Sequence, residues 1–166
     1  GGGSSAGISS IVFAGVVVRD SLVQKNTIVV GDGIKVVGTA VASSFVVNSI
    51  VYGGWETGID IATNNGYGYA YNTTSYGNSY GYNGFYTQNL KNCIGTNNTI
   101  ADFARTSSYP VNVTNCASSD ATVGTFTGTN VRVNQTFSFT DSLNGDFHLL
   151  SSDVGAKDFG TDLSAD

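Results

Sequence analysis

An asparagine recurs along the chain at nearly even intervals, each time in a similar local setting. The spacings between successive copies are 22, 24, 20 and 23 residues. Mostly apolar residues lie two positions before and after these asparagines, and a two-residue step is typical of a strand with one face turned inward. Self-similarity at this period, with several short strands per period, predicts a β-solenoid. The recurrent residues are Asn26, Asn48, Asn72, Asn92 and Asn115.

These asparagines predict how the coils stack. In a solenoid each strand pairs with its equivalent in the next coil, about 4.8 Å away. We therefore expect the five asparagines to form one structural ladder, with their side-chain amides hydrogen-bonded up the column. The predicted fold class is all-β, a parallel β-helix with about 20–24 residues per coil. A leucine-rich repeat would need consensus leucines that are missing, and a two-sheet sandwich is the remaining alternative.

The N-terminal segment is predicted to differ from the rest. Residues 1–18 are expected to form an N-terminal arm or first strand, and residues 19–166 the β-helix domain. The strand-prone part, Ile11–Val18, is either the first coil or an arm that pairs with another subunit by strand addition. No amphipathic capping helix is recognisable at either end, and uncapped solenoid ends favour stacking on partners.

Charge and hydropathy exclude some partners. Only 11% of the residues are charged, the net charge is −5, and the seven basic residues are scattered. No basic stripe exists to neutralise phosphates, so nucleic acid is not an expected partner. No apolar run reaches about 18 residues, so no membrane span is predicted. The sequence has no Met and begins with Gly1, which fits signal-peptide cleavage and an extracellular location.

The two cysteines fit the repeat. Cys93 and Cys116 each follow a ladder asparagine, in consecutive coils. Stacked neighbours fall within the Cα separation that a disulfide tolerates, so a Cys93–Cys116 disulfide is predicted, with two buried free thiols as the alternative. Two cysteines and the distant His148 cannot complete a tetrahedral site, so neither a metal nor a cofactor is expected.

Two groups of segments resemble known proteins. Phe45–Tyr52 and Leu90–Ile94 resemble the right-handed parallel β-helix of the pectin-lyase-like superfamily. The stretch Gly145–Leu163 is similar to C-terminal coils of phage and bacterial surface β-helix proteins. The resemblance covers roughly residues 20–166 and implies a right-handed coil. It implies little about function, because this superfamily holds lyases, hydrolases, tailspikes, adhesins and inert fibres.

A catalytic constellation is not recognisable. Enzymes that the chain resembles in fold place carboxylates, often with Arg or Lys, on the outer face of adjacent coils. Only Glu56 with Asp60, and Asp102 with Arg105, lie near the repeats, and they belong to different coils. We interpret them as solvated turn residues, so no catalytic residue is predicted. The C-terminal aspartates do not have the spacing of a calcium loop.

Tyrosine is concentrated between Gly66 and Tyr86. Tyr67, Tyr69 and Tyr71 would share one face of a strand. They form either ordinary cross-strand packing or an exposed aromatic shelf that contacts a sugar or a neighbouring subunit. The candidate contact residues are Tyr52, Trp55, Tyr67, Tyr69, Tyr71, Tyr76, Tyr80, Tyr82 and Tyr86.

Sequons add candidate glycosylation sites at Asn97, Asn112 and Asn134. Asn72 also begins a sequon, but we expect the ladder to bury its amide.

These patterns favour a structural or adhesive protein outside the cell, at the cell surface or on a virion. It would be a self-assembling subunit of a filament, fibre or phage particle, with copies of itself as partners in a homo-oligomer or helical polymer. The alternative is a carbohydrate-binding or polysaccharide-cleaving tailspike-like module that contacts surface polysaccharide.

Overall fold

A computed structural model describes residues 5–12, 15–25, 30–38, 43–62, 66–84 and 87–164. Five successive coils each contribute one strand to each of three sheets, and the second sheet has a sixth strand. The first coils hold β1 (Ser5–Val12), β2 (Val17–Arg19), β3 (Leu22–Gln24), β4 (Gly31–Gly38), β5 (Ser44–Val47), β6 (Ile50–Tyr52), β7 (Thr57–Ile61), β8 (Gly68–Tyr71) and β9 (Thr74–Tyr76). The chain continues with β10 (Tyr80–Asn83), β11 (Gln88–Lys91), β12 (Ile94–Thr96), β13 (Ala101–Phe103), β14 (Val111–Thr114), β15 (Ala117–Ser118), β16 (Thr127–Thr129), β17 (Phe139–Asp141) and β18 (Asp146–Leu149).

The parallel β-solenoid is confirmed. The first sheet has the order β1-β4-β7-β10-β13, the second β16-β14-β11-β8-β5-β2 and the third β15-β12-β9-β6-β3. Every described pairing within these three sheets is parallel, which excludes the antiparallel sandwich. Within the N-terminal segment the structure describes two strands that join the sheets, since β1 pairs with β4 and β2 pairs with β5.

Apolar side chains fill the space between the sheets. In the second sheet one in-register column points inward and is buried in the five strands from β2 to β14. Its members are Val18, Val46, Ala70, Leu90 and Val113. Because successive strand residues alternate between faces, the neighbours of these residues point outward.

A column of glycines lets the first and third sheets approach closely. Gly33 and Gly58 occupy equivalent positions in β4 and β7. A Cβ on Gly33 would lie 2.1 Å from Val51 Cγ1, and one on Gly58 would lie 2.1 Å from Ser75 Oγ. Asp102 takes the glycine position in β13, and there the third sheet supplies Gly95, whose Cβ would lie 2.8 Å from Asp102 Cβ.

The carboxylate of Asp102 is fully buried and fully hydrogen-bonded. It accepts bonds from the Ser119 N–H at 2.7 Å and the Ser119 hydroxyl at 2.8 Å. Asn98 donates to its other oxygen from Nδ2 at 2.8 Å. The predicted solvated turn residue is therefore a core residue, because five donors replace the water that its charge would otherwise need.

The C-terminal edge of the first sheet is covered. A short 3₁₀ turn, Thr122–Thr125, places Val123 in the core. Side chains of Asp120 and Thr122 accept bonds from the backbone N–H groups of Asp102 and Phe103 on the edge strand β13, both at 3.0 Å. The expectation of an uncapped end is thus corrected for the first sheet, since side chains satisfy edge groups that a further coil would otherwise pair.

Residues 137–164 form a C-terminal strap along the outer face of the third sheet, not the coils expected for Gly145–Leu163. The strap contains the antiparallel hairpin β17–β18. The Phe147 ring lies 5.0 Å from that of Tyr52 and 5.2 Å from that of Tyr76. Outward apolar side chains of the third sheet are buried by these rings, which explains why the strap folds back.

Helices are short in the described part of the chain. No helix there has the length and hydrophobicity needed to cross a bilayer.

Gly58→Ala should destabilise the fold by about 1–3 kcal/mol, because the new methyl overpacks the junction between the first and third sheets. The double variant Gly58→Ala/Ser75→Ala should lose less than the sum of the two single variants, since Ser75 Oγ is the nearest obstacle. Urea unfolding of the four proteins measures this coupling, and strict additivity would contradict the packing described.

Candidate functional site

The chain bends between the second and third sheets at a ladder of polar side chains. Asn48, Asn72 and Asn92 have φ values of 49°, 51° and 53°, in the left-handed region that Asn tolerates better than most residues. Nδ2 of Asn72 donates to Asn48 Oδ1 at 3.1 Å, and Nδ2 of Asn92 donates to Asn72 Oδ1 at 2.8 Å. Asn115 has the same left-handed backbone, with a φ of 50°, and accepts a bond of 2.6 Å from Asn130 Nδ2. Asn92 Oδ1 accepts its bond from the backbone N–H of Thr161 at 3.0 Å, not from Asn115.

One ladder position belongs to an aspartate. The position opposite Asn48 is held by Asp20, which has a φ of 52° and accepts a bond from Asn48 Nδ2 at 3.2 Å. Asn26 lies outside the described residues. Sequence reasoning missed Asp20, although Val17–Asp20 matches Phe45–Asn48 in its alternation. Asn72 is exposed, not buried as expected.

Four aromatic residues form a surface on the outside of the second sheet. We call this set, Phe45, Tyr67, Tyr69 and Tyr71, the aromatic face. Phe45 and Tyr69 stack with ring centroids 4.6 Å apart and planes 11° apart. Tyr71 meets Tyr69 edge-on at 5.7 Å, and Tyr67 is 53% exposed. Gly68 and Ala70 point inward between these tyrosines, as the two-residue step predicts.

The other predicted aromatic contacts lie elsewhere. Tyr82 is in the core, where its hydroxyl donates to the Thr73 carbonyl at 2.8 Å and burial raises its pKa well above the usual value. Trp55 is buried, and Tyr52 and Tyr76 lie under the strap. Tyr80 is half-buried in the first sheet, and Tyr86 lies outside the described residues. The surface is therefore smaller than expected and includes Phe45, which the sequence did not single out.

A groove runs between the second sheet and the end of the strap. Its volume is about 580 Å³, within the range of roughly 300–1,000 Å³ common for ligand pockets. Val47 is on its floor, and Arg19 and Tyr71 stand on either side in the same column. The lining residues are Val17, Arg19, Phe45, Val47, Asn48, Tyr71, Asn72, Asp162, Leu163 and Ser164.

Two carboxylates on adjacent coils share one lysine. Lys35 Nζ lies 2.7 Å from Asp32 Oδ2 and 2.8 Å from Asp60 Oδ2. Burial raises the pKa of Asp60, and Lys35 opposes that rise. Burial also lowers the pKa of Lys35, but its two carboxylate partners outweigh burial and raise it far above the usual value. The ammonium therefore lies between two buried carboxylates and partly neutralises both of them.

The two pairs of charged residues considered from the sequence do not form a shared site in the structure. Glu56 is exposed, whereas Asp60 belongs to the triad with Lys35. Asp102 is in the core, and the guanidinium of Arg105 lies over the Phe126 ring at 5.9 Å. No group of three or more metal-ligating side chains occurs among the residues that the structure describes.

Cys93 and Cys116 are buried free thiols, so the structure differs from the predicted disulfide. Both sulfurs donate to backbone carbonyls, Cys93 to Ala70 at 3.2 Å and Cys116 to Leu90 at 3.4 Å. Equivalent side chains of stacked strands stand parallel, about 4.8 Å apart. A disulfide needs Cβ atoms about 3.8 Å apart, so Cα spacing alone overestimated the fit.

The candidate glycosylation sites are accessible. Asn97, Asn112 and Asn134 are all exposed. Asn112 donates to Asn89 Oδ1 at 3.1 Å from the outer face of the second sheet. Glycosylation at the three sites stays a prediction.

Comparison of the chain with known protein families, with curated proteins and with solved structures gave no match.

Lys35→Met should destabilise the protein by about 2–3 kcal/mol at pH 7, because two buried carboxylates lose the cation between them. The value is below that for fully buried pairs, since a third of the Lys35 side chain is exposed. Burial raises the pKa of Asp60 in the folded protein above its value in the unfolded chain. At pH values above the unfolded pKa, the charge of Asp60 therefore lowers the stability of the folded state, and protonation at lower pH removes this destabilisation. The deficit of the variant should therefore shrink between pH 7 and pH 4.

Urea unfolding at both pH values measures this effect. Lys157→Met is the matched control, because the Lys157 ammonium lies 3.9 Å from the exposed Asp158 carboxylate. An equal loss from Lys35→Met at the two pH values would contradict the triad.

Neither thiol of the native protein should react with an aromatic disulfide reagent on a timescale of minutes, because both sulfurs are buried and burial raises the pKa of Cys116. After denaturation, both cysteines should react. Fewer reactive thiols after denaturation without reductant would contradict the free-thiol structure.

Proposed function

We propose that the protein is an extracellular structural and adhesive protein whose copies associate through the aromatic face. The observation that carries the proposal is the exposure of this surface: Tyr67 is 53% exposed, and the nearby Val17 is 51% exposed. Contiguous apolar surface of this kind marks interaction sites, and tyrosine is enriched at protein interfaces.

The distribution of covered and uncovered faces supports this choice. The strap packs on the outside of the third sheet, and within the described part of the chain it reaches the second sheet only at the groove. Phe45 and Tyr71 line that groove, whereas Tyr67 and Tyr69 do not, so the described strap residues leave the Tyr67 side of the aromatic face uncovered. Its stacked rings give a rigid surface with little side-chain entropy to lose on association.

The proposal extends to the biological setting. We infer a subunit of a filament, a fibre or a phage particle, at a cell surface or on a virion, with copies of the chain as partners. The right-handed pectin-lyase-like class is the proposed relationship, supported by the asparagine ladder and the three parallel sheets.

Carbohydrate binding is the second candidate, and the groove favours it. An apolar floor beside an aromatic ring, with polar groups at the rim, suits a ligand that has apolar faces and hydroxyl edges.

Sedimentation of the intact protein over a range of concentrations tests self-association. We expect oligomers with contacts above about 1,000 Å² in total. Tyr67→Arg should weaken them about tenfold or more, because a charge would be buried where like surfaces meet.

Leu143→Arg is the matched control, because Leu143 is 85% exposed at the tip of the strap hairpin. A wild-type protein that stays monomeric at high concentration would overturn the proposal, and carbohydrate binding would then be the better reading.

A further inference from the structure

We propose that Lys35 and Asp60 become joined by an isopeptide bond between their side chains, with Asp32 as the group that moves the proton. The reaction is a self-catalysed modification of the folded chain. It links two consecutive coils of the solenoid covalently. The inference goes beyond the proposed function and does not depend on self-association.

The first sheet holds the two reacting groups together. Lys35 of β4 and Asp60 of β7 are direct partners in the parallel register, and Lys35 Nζ lies 2.8 Å from Asp60 Oδ2. Both strands have a neighbour on each side, so neither is an edge strand. The adjacent Ile34 and Ile59 are at most 1% exposed, so core packing fixes both backbones. Groups held in this way react far faster than the same groups free in solution.

The surroundings of the Asp60 carboxyl favour an uncharged group. Its side chain is only 7% exposed, and burial raises its pKa. Its second oxygen, Oδ1, is buried and has no hydrogen-bond partner among the residues that the structure describes. An unpaired buried oxygen is most unfavourable when it carries charge. Protonation makes this carboxyl an electrophile, and an amide at the same position leaves the oxygen without any charge.

Asp32 is placed to accept a proton from the amine. Its Oδ2 lies 2.7 Å from Lys35 Nζ, and its side chain is 8% exposed. Burial lowers the pKa of Lys35, but the two carboxylates outweigh burial and raise it. The amine therefore becomes a nucleophile only by losing a proton at the moment of attack. A carboxylate within hydrogen-bonding distance is the group that can take it.

The reaction balances without a further reactant. The Lys35 ammonium gives one proton to the Asp32 carboxylate, and the free amine attacks Cγ of the protonated Asp60 carboxyl. The Nζ–Cγ bond forms and the bond from Cγ to the hydroxyl breaks. Asp32 relays a second proton from the nitrogen to the departing hydroxyl, which leaves as water, and the nitrogen's remaining excess proton stays on Asp32. The products are one amide, one water and a protonated Asp32, with no change in total charge and no oxidation.

The bond would fasten one coil to the next. It closes a loop between residues 25 positions apart, as a disulfide would, but reductants do not open an amide. The pH dependence expected for Lys35→Met is unaffected, because that variant keeps both carboxylates in either case.

Mass spectrometry of the reduced and denatured protein tests the inference, after the folded chain has been kept for days at neutral pH. We expect a mass lower than that of the sequence by one water. Trypsin should not cut after Lys35, because an acylated lysine is not a cleavage site, and should release segment 26–91. A second cut after Glu56 should give segments 26–56 and 57–91 as one joined species.

Two variants and one condition serve as controls. Lys35→Arg keeps a cation beside both carboxylates but has no nucleophilic amine, so it should keep its full mass. Asp32→Asn keeps both reacting groups and removes the proton acceptor, so the bond should form about 100-fold more slowly. Wild-type protein kept in urea should also retain its full mass, because the register that aligns the groups is lost. Thermal unfolding checks that each variant is folded.

A wild-type protein that retains its full mass would overturn the inference. So would a loss of one water with segments 26–56 and 57–91 separate, since an imide at Asp32 and Gly33 gives that result. Bond formation in Asp32→Asn at the wild-type rate would overturn the role of Asp32. Sedimentation is a separate measurement, so a monomer that carries the bond removes only the self-association proposal, and oligomers without the bond remove only this inference.

Discussion

The parallel register between coils is the constraint on which the rest of the structure depends. Because each strand pairs with its equivalent about 4.8 Å away, every side chain stands beside the same position of the next coil. The side chains of each column must therefore be of kinds that can pack against one another. Amides do so by donating and accepting, as Asn48 and Asn72 show, and rings do so by stacking, as Phe45 and Tyr69 show. Like charges would repel in such a column, and Asp60 instead stands opposite Lys35, whose ammonium also pairs with Asp32.

The same register also requires that facing core residues of the first and third sheets be complementary in size. Glycine on the first sheet faces a larger residue on the third, as with Gly33 and Val51. Where Asp102 replaces glycine, Gly95 supplies the missing space. The complementarity is therefore a property of each coil and not of one sheet. This allows a buried carboxylate to enter an otherwise small-residue column, provided that enough donors converge on it.

Local chemistry explains what could be predicted from the sequence. The left-handed bend and the two-residue step depend on only a few neighbouring residues. The positions of Asn48, Asn72 and Asn92 in the sequence were therefore enough to identify the coils. The aspartate at position 20 was missed, because Asp also tolerates this bend. The triad needs the pairing of Lys35 with Asp60, 25 residues apart, and such register is not visible locally. The strap was mistaken for coils because its anchor, Phe147 against Tyr52 and Tyr76, joins residues distant in the chain.

The strap links the fold to the surface available for function. A solenoid with three sheets has three outer faces, and Phe147 of the strap packs on the outer face of the third sheet, not on that of the second. The end of the strap then crosses the ladder, where the Thr161 carbonyl accepts a bond of 2.7 Å from Asn92 Nδ2. That crossing carries Asp162 to the edge of the aromatic face, where it completes a wall of the groove. The groove thus forms because the strap that covers the apolar third sheet ends beside the second sheet. Its shape depends on the Asn92–Thr161 contact as well as on the coils beneath it.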